Sequence, residues 1–290
     1  MILIDIPEAK ETLFLPEELG ECDDQQFADT AKLIYQFNNG EINYEDFCIL
    51  AVYVLLGLKK SEEKPDPDSP KWENIYKLSK HVESFFEVEE KEGKKFLLLK
   101  NYDITNKLRK YKLFRTYYGP KDGLFDITYG QYSDGLEEFI SFAKTGDLQS
   151  LQLLFAIFYR KKNIFTRKLE KYNYEKAKKR ARRLFIHTDI RHLYGFYLLF
   201  DAFNKYTTSG SITVFGEVID LSIIYQDAGV ISSLPGIGVH GIVNDLAETG
   251  IFGDADGVRA TNFWSVAIQL YHVKKKSIDQ LKESKTNGST

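Results

Sequence analysis

The chain has 290 residues, 43% of them hydrophobic and 14% aromatic, which is enough apolar material for a sizeable core and excludes global disorder. Its net charge is only -3, but residues 160–183 hold twelve Lys/Arg against Glu170 and Glu175, a local +10, so the rest of the chain carries -13. A basic patch on an acidic body points to self-association, docking on an acidic partner, or contact with phosphates. The start, MILIDIPEAK, has no basic run ahead of an apolar one and meets Asp5 and Pro7 early, so no signal peptide is expected. No apolar block approaches the roughly 20 residues needed to cross a bilayer, so a soluble cytoplasmic protein without membrane contact is expected.

Ile2–Ile6 and Thr12–Leu15 read as a short hairpin closed by Pro16. Asp23 or Asp24 then caps a helix with the face Phe27, Ala31, Ile34 and Tyr35, ended by Asn38-Asn39-Gly40. Asn43 caps the next helix, where Phe47, Leu50, Ala51, Val54, Leu55 and Leu58 recur at helical spacing. Cys22 and Cys48 have no Cys/His companions and read as reduced, helix-borne thiols, with a disulfide or metal pair as the alternative.

Lys59–Pro70 (KKSEEKPDPDSP) combines three prolines with charges and reads as an extended, solvated segment. It allows two organisations. Residues 1–60 form a hairpin plus αα unit and 71–290 a main helical domain, or the whole is one continuous domain. Beyond it, Trp72–Leu78 is helical, and Val82–Val88 with Lys95–Lys100 make a hairpin whose charged tip, Glu89–Lys94, contains Gly93. Arg115–Gly130 (RTYYGPKDGLFDITYG) is a turn-rich aromatic stretch, read as pinned to the body by its rings, with a binding loop as the alternative.

Ser133 is positioned to cap a helix carrying Leu136, Phe139, Ile140 and Ala143, ended by Gly146. Asp147 caps the apolar block Leu151–Tyr159, a basic helix spans Tyr174–Arg183, and a second apolar block, Leu193–Phe203, extends to Tyr206 before a break at Thr207–Gly210. Ile212–Phe215 and Val218–Leu221 flank Gly216-Glu217 as a two-residue hairpin. Val239–Thr249 is a short helix, and Asn262 caps a last helix with Phe263, Val266, Ala267, Leu270 and Val273 on one face, fraying after Lys274. The expected class is mainly α (α+β): a helical core with several short β-hairpins.

Signals for chemistry are sparse. Gly236–Gly241 matches G-x-G-x-x-G, but Pro235 interrupts the strand that a dinucleotide site needs, which favours a turn before a helix. His187 and His192 stand five apart, on different helix faces, with Asp189 between them as a local cap. No zinc spacing, nucleophile elbow or Walker loop is present. No cofactor, metal or catalytic residue is assigned, and the expectation is a non-enzymatic protein.

The basic run is the feature with functional reach. Arg160, Lys161, Lys162, Arg167, Lys179, Arg180 and Arg183 are the candidate partner-binding residues. Their partner is protein, or alternatively nucleic acid, with Phe165, Tyr172 and Tyr174 available to stack on bases. A solvated face is the third reading.

Gly146-Asp147, LLFAIFYRKK (Leu153–Lys162), Tyr172 or Tyr174, the Arg-bearing helix and HLYGFYLLFDAF (His192–Phe203) together resemble a pattern in tail- or baseplate-assembly chaperone-like proteins of bacteriophages. There an apolar helix ending in Tyr-Arg-Pro precedes an aromatic helix; Lys161 stands here in the proline position. The whole chain is similar to uncharacterised tail-region proteins of Bacteroidetes-type phages and prophages, on YYGP (Tyr117–Pro120), YGFYLLF (Tyr194–Phe200), PGIG (Pro235–Gly238) and TNFW (Thr261–Trp264). The resemblance implies a structural or assembly role by protein–protein contact, with tail or baseplate proteins or a further copy as partners. It places the chain in the host cytoplasm during assembly, and in the virion if it stays there.

Overall fold

A computed structural model describes residues 1–6, 11–58, 70–91, 93–214, 216–225 and 239–287. Among them are ten helices and nine short strands, a mainly α, α+β architecture in which every sheet is small and antiparallel. The chain divides into two compact units: Met1–Leu108 with Thr188–Leu199, and Arg109–His187 with Phe200–Thr290.

In unit 1, β1 (Ile2–Ile6) pairs antiparallel with β2 (Glu11–Leu15), Ile2 opposite Leu15 and Ile4 opposite Leu13. Asp23 caps α1 (Asp24–Asn38) in a reciprocal capping box with Gln26, and the Asn43 side-chain oxygen caps α2 (Tyr44–Leu55) by accepting from the Asp46 backbone N–H. Phe27, Ala31 and Ile34 of α1 and Phe47, Ala51 and Leu55 of α2 are buried, so the two helices meet along the faces set by their spacing. Cys48 lies on α2, whereas Cys22 precedes the α1 cap and is not helical. Both are buried free thiols, and burial pushes Cys22 up to about 12.

Of the Lys59–Pro70 segment only Pro70 lies within the described residues, and it opens α3 (Pro70–Ser79), where a missing N–H costs nothing. The following hairpin is shifted from expectation. Val82–Phe85 belongs to a 3-10 turn, and the strands β3 (Phe86–Lys91) and β4 (Lys94–Leu99) run further, pairing Lys91 with Lys94 around Gly93 at φ 73°. Phe86 joins Phe37, Tyr44 and Phe47 in one ring cluster.

Unit 2 opens with β5 (Lys110–Lys112) and β6 (Thr116–Tyr118), then α4 (Tyr129–Thr145). Here the sequence expectation is corrected. Thr128, not Ser133, is the cap, again in a reciprocal box with Gln131, and Ser133 is wholly buried in the second turn. The first two turns, Tyr129 to Gly135, are buried all round; of the expected face, Leu136 and Phe139 are half-buried, with Phe139 against the Phe200 ring, whereas Ile140 and Ala143 are exposed and Phe142 points inward instead. Gly146, at φ 68°, takes the left-handed conformation that ends the helix, and Asp147 immediately caps α5 (Leu148–Phe158).

Nearly every residue of α5 after Gln149 is buried, as expected of a helix apolar all round. Phe155 stacks on Tyr159 and meets Tyr111 and Phe185 edge-on. Strand β7 (Arg160–Lys161) joins β6, and α6 (Tyr174–Arg183) follows at its expected bounds.

Helix α7 (Ile190–Ser209) starts at Asp189, whose carboxylate accepts from the Arg191 backbone, and runs past the expected break to Ser209. Its residues to Leu199 belong to unit 1 and those from Phe200 to unit 2. Within unit 1, the Asn38 side-chain amide donates to the Tyr194 hydroxyl at 2.8 Å, and the Tyr194 ring meets Tyr35 edge-on. Within unit 2, Phe203 packs on Phe263 and Trp264.

Next, β8 (Ser211–Val214) and β9 (Glu217–Asp220) pair, with Val214–Glu217 nearest the turn where the expected Gly216-Glu217 turn would have set Val214 opposite Ile219. Helix α8 (Val239–Glu248) is as expected, whereas the six-residue α9 (Ala255–Ala260) was not foreseen. Of Gly236–Gly241, the first three residues lie outside the described ones. Helix α10 (Phe263–Asn287), which Asn262 caps through the Trp264 N–H, persists instead of fraying because Lys, Glu, Gln and Leu dominate its second half.

Candidate docking face

The twelve cations between 160 and 183 divide into an inner and an outer set, and helix geometry decides which is which. On α6, Ala177, Arg180 and Ala181 are three and four apart and face inward, so Lys176, Lys179, Arg182 and Arg183 face solvent. Arg180 is 9% exposed. One of its guanidinium nitrogens reaches Glu170 at 3.1 Å, and another donates to the Ala156 carbonyl at 3.0 Å. That carbonyl is among those an α-helix leaves without a partner at its C-terminus, and Gln131 satisfies the next, Ile157, at 3.0 Å. Arg160, 8% exposed, donates to the Glu170 carbonyl at 2.9 Å. Burial draws both guanidinium pKa values down from the usual arginine value, with the Glu170 charge opposing. Of the seven candidate contact residues, Arg160 and Arg180 thus brace the interior, and Lys161, Lys162, Arg167, Lys179 and Arg183 are exposed.

The tyrosines of the run are also committed. The Tyr172 hydroxyl donates to Asp134 on α4, and Tyr174 to Glu138 at 3.4 Å. Burial, then the Asp134 charge, raises the Tyr172 pKa well above the tyrosine range. Neither ring is a free platform for bases. Phe165 is different.

Residues 160–170 fold back on themselves as an arm. Lys162 bridges to Leu169, Glu170 N–H donates to the Lys161 carbonyl at 3.0 Å, and Asn163 N–H to that of Lys168 at 2.9 Å. At the tip, the Asn163 side chain accepts from the backbones of Phe165 and Thr166, and Arg167 adopts φ 54°. Asparagine is suited to such a turn because its short carbonyl reaches the backbone two residues on. This fixed turn holds Ile164 and Phe165 outward, 80% and 93% exposed.

Against the arm's base lies a groove of about 650 Å³ lined by Arg115, Tyr118, Lys161, Lys162, Ile164 and Arg167, with no carboxylate among its walls. The Lys162 ammonium sits 4.1 Å above the Tyr118 ring. A second cleft of about 440 Å³ shares Lys161 and adds Lys176, Lys179 and Arg183, but its wall also holds Glu170, whose carboxylate pairs with Lys176 and Arg180, so the first groove is the one without a counter-charge. Ammonium and guanidinium donors without a facing counter-charge attract carboxylate or phosphate oxygens.

Arg115 and Tyr118 were not singled out from sequence. The signal was available, since Lys107, Arg109, Lys110, Lys112 and Arg115 put five cations in nine residues around Tyr111 and Phe114. Strand pairing of β6 with β7 brings the end of that second basic run, Arg115, beside the first.

Among the described residues, no three His, Cys, Asp or Glu side chains come together in a way that could hold a metal ion, and no helix is long and apolar enough to cross a membrane. The chain matches no protein-family model, no curated protein and no solved structure to which it was compared.

Proposed function

We propose that this is a non-enzymatic structural or assembly protein of a bacteriophage or prophage tail region, working by protein–protein contact through the exposed cations of the arm and α6. The observation that carries the docking role is the carboxylate-free groove at Arg115, Lys161, Lys162 and Arg167, held in place by an internal Arg160–Glu170–Arg180 brace. The sequence resemblance supplies the tail context. A cationic face kept rigid in this way suits a fixed acidic partner, because a preorganised surface loses little freedom on binding.

Reversing the charge of Lys161, Lys162 and Arg167 together, in a chain co-expressed with candidate phage tail or baseplate proteins, is expected to abolish co-purification of the partner and to stop tail assembly. Unchanged co-purification and assembly would remove the docking role. The second reading, a nucleic-acid accessory protein, draws on Phe165, whose exposed ring lies among the same cations. It predicts oligonucleotide binding that weakens steeply with salt, and a flat low-salt gel-shift titration removes it.

A further inference from the structure

The three most exposed large apolar side chains among the described residues are Phe165, Phe114 and Ile164, at 93%, 86% and 80%. They come from two turns far apart in sequence, and strand pairing brings the turns together. Strand β6 runs antiparallel to β7, with Tyr117 opposite Lys161 and Tyr118 opposite Arg160. Continued past the paired residues, that register sets Phe114 level with Ile164, so the β5–β6 turn and the arm tip project from the same end of the sheet. The carboxylate-free groove lies between them, lined by Arg115 and Thr116 on one side and by Asn163 and Ile164 on the other. Backbone bonds hold both apexes: the Leu113 N–H donates to the Arg115 carbonyl at 3.1 Å around Phe114, and the Arg167 N–H to the Asn163 carbonyl at 2.9 Å around Ile164 and Phe165.

Charge is graded along this sheet. Neither 109–121 nor 160–169 contains an acid, and the exposed Lys112, Arg115, Lys161, Lys162, Arg167 and Lys168 stand within three residues of an apex. The next acids along the chain, Asp122, Asp126 and Glu170, follow the other ends of these strands, and each is engaged. Asp122 pairs with Arg109, Asp126 accepts from the Lys121 N–H, and Glu170 pairs with Lys176 and Arg180.

We propose that this end of unit 2 inserts into the surface of an anionic lipid bilayer. Phe114, Ile164 and Phe165 enter the boundary between headgroups and acyl chains, and the cations around them meet lipid phosphates. Convex apolar apexes on a protein partner would need matching pockets, whereas a fluid interface closes round them without any. Ile164 has no flat face for a base to stack on, and the Lys162 ammonium already covers the Tyr118 ring. The expectation of no membrane contact came from the lack of a spanning segment, which a surface contact does not need. The proposal shares its cations with the docking reading but does not rest on it.

Flotation of the full chain with vesicles tests this, comparing phosphatidylglycerol and phosphatidylcholine in equal parts with phosphatidylcholine alone. Binding is expected to the anionic vesicles and to weaken as salt rises. A Phe114→Ser/Ile164→Ser/Phe165→Ser variant changes only exposed side chains, so its thermal melt is expected to match the wild type while vesicle binding falls at least about tenfold. Phe165→Trp is expected to gain blue-shifted emission on vesicles and to be quenched by lipids brominated in their acyl chains, which adsorption by charge alone would not produce. The proposal is overturned by a wild type that does not float with anionic vesicles at low salt, by equal binding to uncharged ones, by binding that the triple variant leaves unchanged, or by no quenching of Phe165→Trp. The triple variant keeps Lys161, Lys162 and Arg167, so co-purification of a tail or baseplate protein is expected to survive it. If vesicles are not bound while charge reversal still abolishes co-purification, lipid contact fails and the docking role stands. Oligonucleotide binding that depends on Phe165, in place of vesicle binding, overturns the proposal in favour of nucleic acid.

Discussion

One guanidinium nitrogen of Arg259, on α9, reaches both carboxylate oxygens of Asp134, on α4, at 2.8 and 2.7 Å. The same carboxylate accepts the Tyr172 hydroxyl, so three segments from distant parts of the sequence converge on one buried acid. Asp134→Ala is expected to cost about 2–4 kcal/mol, because it strands a guanidinium and a phenol that have lost their shared acceptor. Chemical denaturation of the variant checks this. An Asp134→Ala/Arg259→Ala double variant is expected to lose less than the sum of the two single changes, since neighbours in one network couple.

Gly135 tests packing against propensity. Replacing glycine by alanine inside a helix normally gains about 1 kcal/mol. A Cβ here would lie 2.7 and 2.9 Å from the ring of Phe158, which is 1% exposed and has no room to withdraw. Gly135→Ala is therefore expected to destabilise by about 1–3 kcal/mol, the usual penalty for an overfilled core. A raised melting temperature would contradict the packing described.

Adjacent residues of α6 are expected to behave oppositely. Arg180→Ala removes the partner of Glu170 and of the Ala156 carbonyl and is expected to cost about 2–4 kcal/mol. Lys179→Glu changes an exposed position and is expected to stay within about 0.5 kcal/mol of wild type. Thermal melts of the two separate bracing from surface charge. Partner co-purification should follow Lys179 in a folded protein.

Glu138 sets a pH dependence. Burial raises its carboxyl above the usual 4.5, with hydrogen bonds from Ser150 and Tyr174 opposing. A carboxyl whose folded pKa is raised supports the fold fully below its unfolded value and loses that support as pH rises through the folded value. Glu138→Gln is expected to raise the melting temperature at neutral pH and to lose that advantage below about pH 4.3, where the unfolded acid is itself protonated. An advantage independent of pH would show that the charge is not the cause.

Local signals in the sequence located the helices whose ends carry their own chemistry. Asp23, Asn43 and Asp147 each cap as their residue type requires, and the turns after α1 and α4 fall at glycines with positive φ. The start of α4 was misplaced because Ser133 and Thr128 are both competent caps, and only Thr128 has Gln three residues on to complete the box. A one-turn helix such as α9 has too few residues to show a period. The division of the basic run into braces and contacts was half legible. Ala177, Ala181 and Leu184 mark the inward face of α6 and put Arg180 on it, but the acceptors Glu170 and Ala156 become neighbours only on folding. Arg115 reached the face through strand pairing, which no local pattern in β6 specifies.

The turn between α4 and α5 bears on the order of events in folding. Only Gly146 and Asp147 separate the two helices, so bringing their faces together closes a very short loop and costs little chain entropy. Contacts of small sequence separation form early, which makes this helical pair the natural seed on which the later segments of unit 2 assemble. A residue inserted between Gly146 and Asp147 would then slow the folding rate more than the unfolding rate, a signature that sets a nucleus apart from structure added afterwards.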